Sequence, residues 1–277
     1  MPRFSLVIPT LGRTTEVAEV FASIVAQNRT DIEIIVVDQN DDDRLVAMVE
    51  DLARNLPVMH VRLKEKSLSM ARNAGLDHAT GQIIAFPDDD CWYPSNLLDK
   101  VDGWFKKNAR YEVLAVGALD AEGLSSGNRW LQNSCDISPL NAMRTTFASS
   151  LFICTARINP NLRFDPRLPA GEETDFVLRL LATGPRGRFD RNLHIHHPRR
   201  DMLSGTVSRE RARKYGMGMG IVVRRHSLIL VWCGLIMYDL ARTVLVSARG
   251  QFENARFCLA HTSGLFRGFV LPESTYE

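Results

Sequence analysis

The chain has 277 residues, 45% of them apolar and 24% charged, a balance that fits one large folded domain or a domain with an appendage and excludes a disordered chain. The formal charge is only +2, yet residues 209–277 hold ten Lys and Arg against five Asp and Glu, so the basic surplus is at the C-terminal end. Five scattered cysteines (Cys91, Cys135, Cys154, Cys233, Cys258) without a Cys-x-x-Cys pair argue against a disulfide framework, and the apolar stretch Phe4–Ile8 is too short for a secretory signal. The expected compartment is the cytoplasm.

The first part alternates short β-branched runs with helix-like segments. Phe4–Ile8 precedes Thr14–Gln27, Ile32–Val37 precedes Asp43–Asn55, Val58–Leu63 precedes Leu68–Ala79, and Ile83–Phe86 precedes Pro94–Lys107. This rhythm predicts parallel strands joined by crossover helices. The strands are almost continuously apolar, as strands covered by helices on both faces must be. The predicted fold is therefore α/β, with a mostly parallel Rossmann-like central sheet flanked by helices. Ligands of such sheets bind beyond the carboxyl ends of the strands, which directs attention to Pro9, Thr10 and Arg13, to Asp38, and to Asp88, Asp89 and Asp90.

Residues 111–165 are less regular, with a Gly- and Ser-rich loop at Glu122–Asn128 and a predicted strand at Phe147–Thr155. A helix is expected from Glu172 through Leu181 to Gly184, then a strand at Leu193–His197 stopped by Pro198. The expected organisation is a catalytic domain over residues 1–200, with a nucleotide-binding half (1–110) and an acceptor half (111–200), followed by a helical, basic and apolar extension over 201–277.

Three consecutive carboxylates after a strand repel one another unless a cation or donor-rich partner offsets them. All-oxygen ligands suit Mg²⁺ or Mn²⁺ beside a diphosphate; a solvated acidic cluster at a helix start is the alternative. In Gly171-Glu172-Glu173-Thr174-Asp175, capping explains one acid better than three, and a carboxylate beside another negative charge has the raised proton affinity of a general base. Glu173 fits that role, with Glu172 as the second assignment. In His194-Ile195-His196-His197, alternation puts His194 and His196 on one face and His197 on the other; one histidine completes a metal site, or all are structural. The segment Leu68–Gly75 opens a helix carrying Arg72, which suits a phosphate or a plain amphipathic helix.

Taken together, Val7-Ile8-Pro9-Thr10 with Arg13, Val36-Val37-Asp38, Ala71-Arg72-Asn73-Ala74-Gly75, Phe86-Pro87-Asp88-Asp89-Asp90 and Gly171-Glu172-Glu173-Thr174-Asp175 resemble the family 2 glycosyltransferases of the GT-A fold, over roughly residues 4 to 200. The resemblance implies a nucleotide-sugar donor, a divalent metal, inversion at the anomeric carbon, and a glycan or polyprenyl-linked acceptor in surface-polysaccharide synthesis. Matched position by position, it puts Thr10, Arg13 and Asp38 around the nucleoside, Arg72 near the base or diphosphate, Asp88 near the ribose, and Asp90 and His197 on the metal. Glu173 occupies the base position, where the family usually has Asp, and Ser67 stands where many relatives have Gly. His196 is a close rival to His197.

In the tail, Leu228–Tyr238 is an eleven-residue apolar run, whereas a membrane-crossing helix needs about twenty apolar residues; a crossing is not expected. Arg209, Arg211, Arg213, Lys214, Arg224 and Arg225 lie upstream, and cations next to apolar bulk suit a peripheral contact with the inner face of the cell membrane. A packed helical subdomain or a homo-oligomer interface is the alternative. A sugar nucleotidyltransferase would need a glycine-rich triphosphate loop, where this chain has Pro9-Thr10-Leu11-Gly12-Arg13. A non-catalytic nucleotide- or glycan-binding protein would not need both metal carboxylates and a base. No nucleic-acid partner is expected, since no recognition motif is present.

Overall fold

The computed structural model describes residues 1–126, 133–198 and 205–271. The first 110 residues fold as their periodicity predicts. Strand β1 (Phe4–Thr10), helix α1 (Thr15–Val25), β2 (Ile32–Asp38), α2 (Val46–Leu52), β3 (Val58–Arg62), α3 (Leu68–His78), β4 (Ile83–Ala85) and α4 (Leu97–Lys107) follow one another. β1 is parallel to β2 and β4, and β2 is parallel to β3. Ser67 caps α3 by accepting from the Met70 amide.

The core explains the order. Phe4, Leu6, Ile8, Ile34 and Val36 have no exposed surface, and α1 supplies Val17, Val20, Phe21 and Ile24 to the same cluster, an i, i+3, i+4, i+7 stripe. Each such side chain contributes about 1.5–3 kcal/mol on burial.

After β5 (Val113–Leu119) come β6 (Cys135–Asp136), the short helix α5 (Ala142–Thr145), a 3-10 turn at Ala148–Ser150, β7 (Leu151–Cys154), α6 (Glu172–Leu181) and β8 (Gly187–His196). The eight-stranded sheet has the order β3-β2-β1-β4-β7-β5-β8-β6. β7 runs antiparallel to β4 and β5, and β6 antiparallel to β8, while β5 and β8 are parallel. The expected strand at Leu193–His197 is thus the end of a longer one, whose first half, Gly187-Arg188-Phe189-Asp190, carries no apolar run to betray it. Most of the predicted loop Glu122–Asn128 is described, and its last two residues lie outside the described range.

The tail forms three helices, α7 (Gly205–Arg225), α8 (Ile229–Ala248) and α9 (Phe252–Val270). The apolar run ending at Tyr238 is the first half of α8, whose 20 residues are long and apolar enough to cross a membrane by length and composition. The apolar segment is thus longer than the eleven-residue run read from the sequence. Asp239, which ends that run, is 3% exposed and bonds His261 Nδ1 of α9, so it does not interrupt the outward face. The chain divides into two compact units, Met1–Phe164 with Arg179–Arg199, and Asp165–Leu178 with Arg200–Glu277.

Candidate active site

In the first unit, the carboxyl ends of β1, β2 and β4 carry the polar residues that their sequence position predicts. Beyond β1 the backbone turns at Gly12, whose φ of +79° favours glycine, and the Gly12 amide donates to Asn40 Oδ1 at 2.7 Å. Arg13 then reaches the residues after β4. One nitrogen of its guanidinium pairs with Asp89 and the other lies 2.7 Å from Asp90 Oδ2. Burial opposes the Arg13 charge, but the Asp90 hydrogen bond and the nearby Asp89 hold its pKa above the ordinary value. Burial pushes the Asp89 carboxyl up, only partly offset by Arg13. A recess of about 200 Å³ opens here, lined by Pro9, Thr10, Leu11, Arg13, Gln39, Lys66, Leu68 and Asp89.

Asp38 does not line this recess. It has no exposed surface, and its Oδ1 accepts from the Asn40 amide at 2.9 Å and from Asn40 Nδ2 at 2.7 Å. Its other oxygen faces His60 Nε2 at 3.1 Å and Arg62 at 3.4 Å. Arg72, 2% exposed, donates to Asp88 at 3.1 Å and lies 5.4 Å from the Phe164 ring centroid, so its guanidinium orients Asp88.

Asp88, Asp90 and His197 converge, with one ligand atom from each lying within 4.8 Å of the others. His197 Nε2 is 3.5 Å from Asp90 and 4.0 Å from Asp88. Its Nδ1 lies 2.9 Å from the Pro198 carbonyl, and a carbonyl only accepts, so Nδ1 carries the proton. The ring then presents Nε2 to two carboxylates, an arrangement in which a divalent cation between the three ligand atoms is accommodated. Two hard oxygens and one imidazole with further positions open suit Mn²⁺ or Mg²⁺, and the three residues form a divalent-metal site. Phe147 sets its ring edge-on to His197 at 5.2 Å.

His196 points the other way. It stacks on Trp92 at 5.3 Å, with paired main-chain bonds between the two residues, and His194 packs edge-on to it. Burial lowers the His194 pKa, helped by His196 and Lys100. The strand alternation thus assigns His197, and not His196, to the cluster.

Glu172 and Glu173 open α6 in the second unit, both partly buried, after Gly171 at φ +78°. Asp175 in the same turn is 1% exposed and lies 3.0 Å from His226 Nε2. Gln39 and Lys66 were not singled out from the sequence. Gln39 accepts from the Ser67 amide and Lys66 pairs with Asp41, and nothing in the local pattern distinguishes either from an ordinary loop residue.

The model of "Glycosyl transferase family 2" matches residues 5–158. The chain is 25% identical over 236 residues to the succinoglycan biosynthesis protein ExoM of Rhizobium meliloti (strain 1021), covering 79% of this chain and 76% of that protein. It is 27% identical over 185 residues to the GalNAc(5)-diNAcBac-PP-undecaprenol beta-1,3-glucosyltransferase of Campylobacter jejuni subsp. jejuni serotype O:2 (strain ATCC 700819 / NCTC 11168), covering 64% of this chain and 59% of that protein's length. Among solved structures, the mannosyltransferase PcManGT from Pyrobaculum calidifontis, in complex with GDP-Man and Mn²⁺, superposes with a TM-score of 0.69 at 12% identity over 97% of this chain and 87% of that one. S. aureus TarS 1-349 gives 0.65 at 18% identity over 99% and 77%. These structural likenesses establish a shared fold.

Proposed function

The chain belongs to glycosyl transferase family 2, and from that membership we propose that it moves a sugar, with inversion, from a nucleotide-sugar donor to a hydroxyl of a glycan or polyprenyl-linked acceptor in surface-polysaccharide synthesis. The observation that carries the reading is the convergence of Asp88, Asp90 and His197 next to the recess lined by Arg13 and Asp89.

The donor's nucleoside diphosphate enters the recess at the ends of β1 and β4, where Arg13 supplies a fixed positive charge. A divalent cation held by Asp88, Asp90 and His197 would supply the Lewis-acid charge that stabilises the leaving diphosphate. Arg72 keeps Asp88 in place. The acceptor oxygen forms its bond to the anomeric carbon as the bond to the diphosphate oxygen breaks, and Glu173 takes the acceptor proton. Displacement in line inverts the carbon. Glu173 is assigned through its place in the family motif and at the first turn of α6; Glu172 is the second assignment.

The test is nucleoside-diphosphate release from a panel of nucleotide sugars, with and without Mn²⁺. Asp90→Ala and Glu173→Gln are expected to lower turnover at least about 100-fold with the fold kept. Near-normal turnover in either variant removes that residue from its role, and binding without release in the wild type would make the protein a nucleotide- or glycan-binding module.

For the acceptor, the second unit favours a lipid-linked class at the inner face of the membrane. The outward face of α8 is apolar, and α7 and α9 line a cavity of about 460 Å³ with Arg209, Arg213 and Arg256, cations that suit phosphate headgroups.

A further inference from the structure

Within the second unit, α7 touches the residues on both sides of Glu172 and Glu173. On the N-terminal side the contact is backbone to backbone. A Cβ placed on Gly218 would lie 2.1 Å from the Ala170 carbonyl oxygen and 2.7 Å from its carbon, so no side chain fits between α7 and the peptide that precedes Gly171. One turn further along α7, Val222 Cγ2 would be 3.5 Å from a Cβ on Gly171. On the C-terminal side the contact is ionic. His226 Nε2 lies 3.0 Å from Asp175 Oδ1 and Arg225 lies 3.8 Å from the same oxygen. The other arm of Arg225 reaches Asp165 at 2.9 Å.

Asp175, at 1% exposure, is removed from water and requires a charged or donating partner. Two of its partners are 50 and 51 residues away in sequence. The charged groups around it are Glu172 and Glu173 in its own helical turn, Arg225 and His226 from α7, and Asp165, with its partner Arg167, in the segment before α6. Arg225 reaches both carboxylates, adding one positive charge between Asp165, which also pairs with Arg167, and Asp175, which also pairs with His226.

We propose that Gly218, Arg225 and His226 are positioning residues for the catalytic base, so that α7 fixes both the direction and the electrostatic surroundings of the α6 turn bearing Glu173. The inference rests on the reading of Glu173 as base, and it makes the C-terminal extension part of the catalytic apparatus.

The experiment measures kcat, donor KM, Mn²⁺-dependent nucleoside-diphosphate binding and the pH profile of kcat/KM for Arg225→Met, Arg225→Lys and His226→Asn, alone and with Glu173→Gln. Arg225→Met is expected to lower kcat roughly 10- to 100-fold, with donor KM and nucleotide binding within about twofold of wild type. Removing the cation takes one positive charge from beside the turn and leaves Asp165 to Arg167 and Asp175 to His226, which raises the proton affinity of the base, so the acid limb of the profile moves to higher pH. Arg225→Lys, which keeps the charge and loses the fork, restores the limb more than it restores kcat. If Arg225→Met does not fold, Arg225→Lys carries the test, and a wild-type kcat for it overturns the proposal. With Glu173→Gln present, Arg225→Met should add little further loss, because both act through one carboxylate; an equal, independent loss overturns the proposal. The two readings fail separately. Normal turnover in Glu173→Gln removes the base assignment, whereas an inactive Glu173→Gln beside an unchanged Arg225→Met and His226→Asn removes the positioning role alone.

Discussion

His197 is oriented by its own neighbour. With Nδ1 donating to the Pro198 carbonyl at 2.9 Å, the ring presents Nε2 to Asp88 and Asp90, so the tautomer needed for a metal is set before any cation arrives. His197→Ala is therefore expected to raise the Mn²⁺ concentration needed for nucleoside-diphosphate binding by about tenfold or more, read by calorimetric titration. His196→Ala, one residue away and stacked on Trp92, should leave that titration unchanged; equal effects from the two variants would sink the distinction. The acids and the histidines were legible in the sequence because their types and order are unusual, and strand alternation separates His197 from its neighbour. Asp38 was legible as a strand-end residue, but its saturation by Asn40, His60 and Arg62 was not, because those partners approach from two different strand ends. The pairing of Asp175 with Arg225 and His226 was hidden for the same reason. It depends on packing between segments 50 residues apart, and local periodicity carries no record of that.

At the scale of elements, the first eight show how far periodicity reaches, and the glycines of the tail show where it stops. Tyr215-Gly216-Met217-Gly218-Met219-Gly220 reads as poor helix, since each interior glycine costs about 1 kcal/mol against alanine. Yet these glycines let α7 and α9 approach to backbone contact. A Cβ at Gly216 would meet the His261 oxygen at 2.1 Å and one at Gly220 the Leu265 oxygen at 2.4 Å, while Gly264 and Gly268 of α9 would meet the Arg213 and Met217 oxygens at 2.2 and 2.0 Å. Two opposing effects can be separated by substitution. Gly103 in α4 has nothing within 4 Å, so Gly103→Ala should stabilise the protein by about 0.5–1 kcal/mol. Gly264→Ala gains the same propensity but must push two helices apart, and it should destabilise by about 1–3 kcal/mol. Denaturant midpoints for both variants check the pair, and a stabilising Gly264→Ala would mean the helices separate freely. The missed half of β8 has a related cause, because its apolar residues are spaced among charged ones and strand propensity alone does not recover it.

At the scale of the whole molecule, a buried ion-pair cluster and an exposed apolar stripe, both in the second unit, each give a measurable consequence. Asp165 is desolvated by burial, which alone would raise its pKa, but its bonds to Arg167 and Arg225 outweigh this and hold it well below the usual carboxylate range. A depressed folded-state pKa adds stability above the unfolded value of about 4 and loses it as pH falls below that. The melting temperature should accordingly drop as pH falls from about 5 toward 2, and Asp165→Asn should start lower at neutral pH and show a flatter dependence; a parallel curve would remove Asp165 from this role.

The apolar surface gives the other test. Leu230, Met237 and Val244 are 78%, 70% and 70% exposed and stand seven residues apart, so they share one stripe of α8. The only ionisable side chains of α8 besides Cys233 and Tyr238 are Asp239 and Arg242, and Asp239 is turned inward onto His261. Arg242, five residues after Met237 and two before Val244, falls on the far side of the helix from them, so no charged residue of α8 lies on the stripe itself. Replacing all three residues with Gln removes apolar surface without touching the bundle, so stability should stay within about 0.5 kcal/mol per site, and release of nucleoside diphosphate with a water-soluble acceptor should be unchanged. If the stripe lies in a membrane surface, the wild type sediments with vesicles of anionic phospholipid and the triple variant remains in the supernatant. Equal sedimentation of both proteins removes α8 as the contact. A wild type that ignores vesicles but is dimeric, beside a monomeric variant, makes the stripe a self-interface instead.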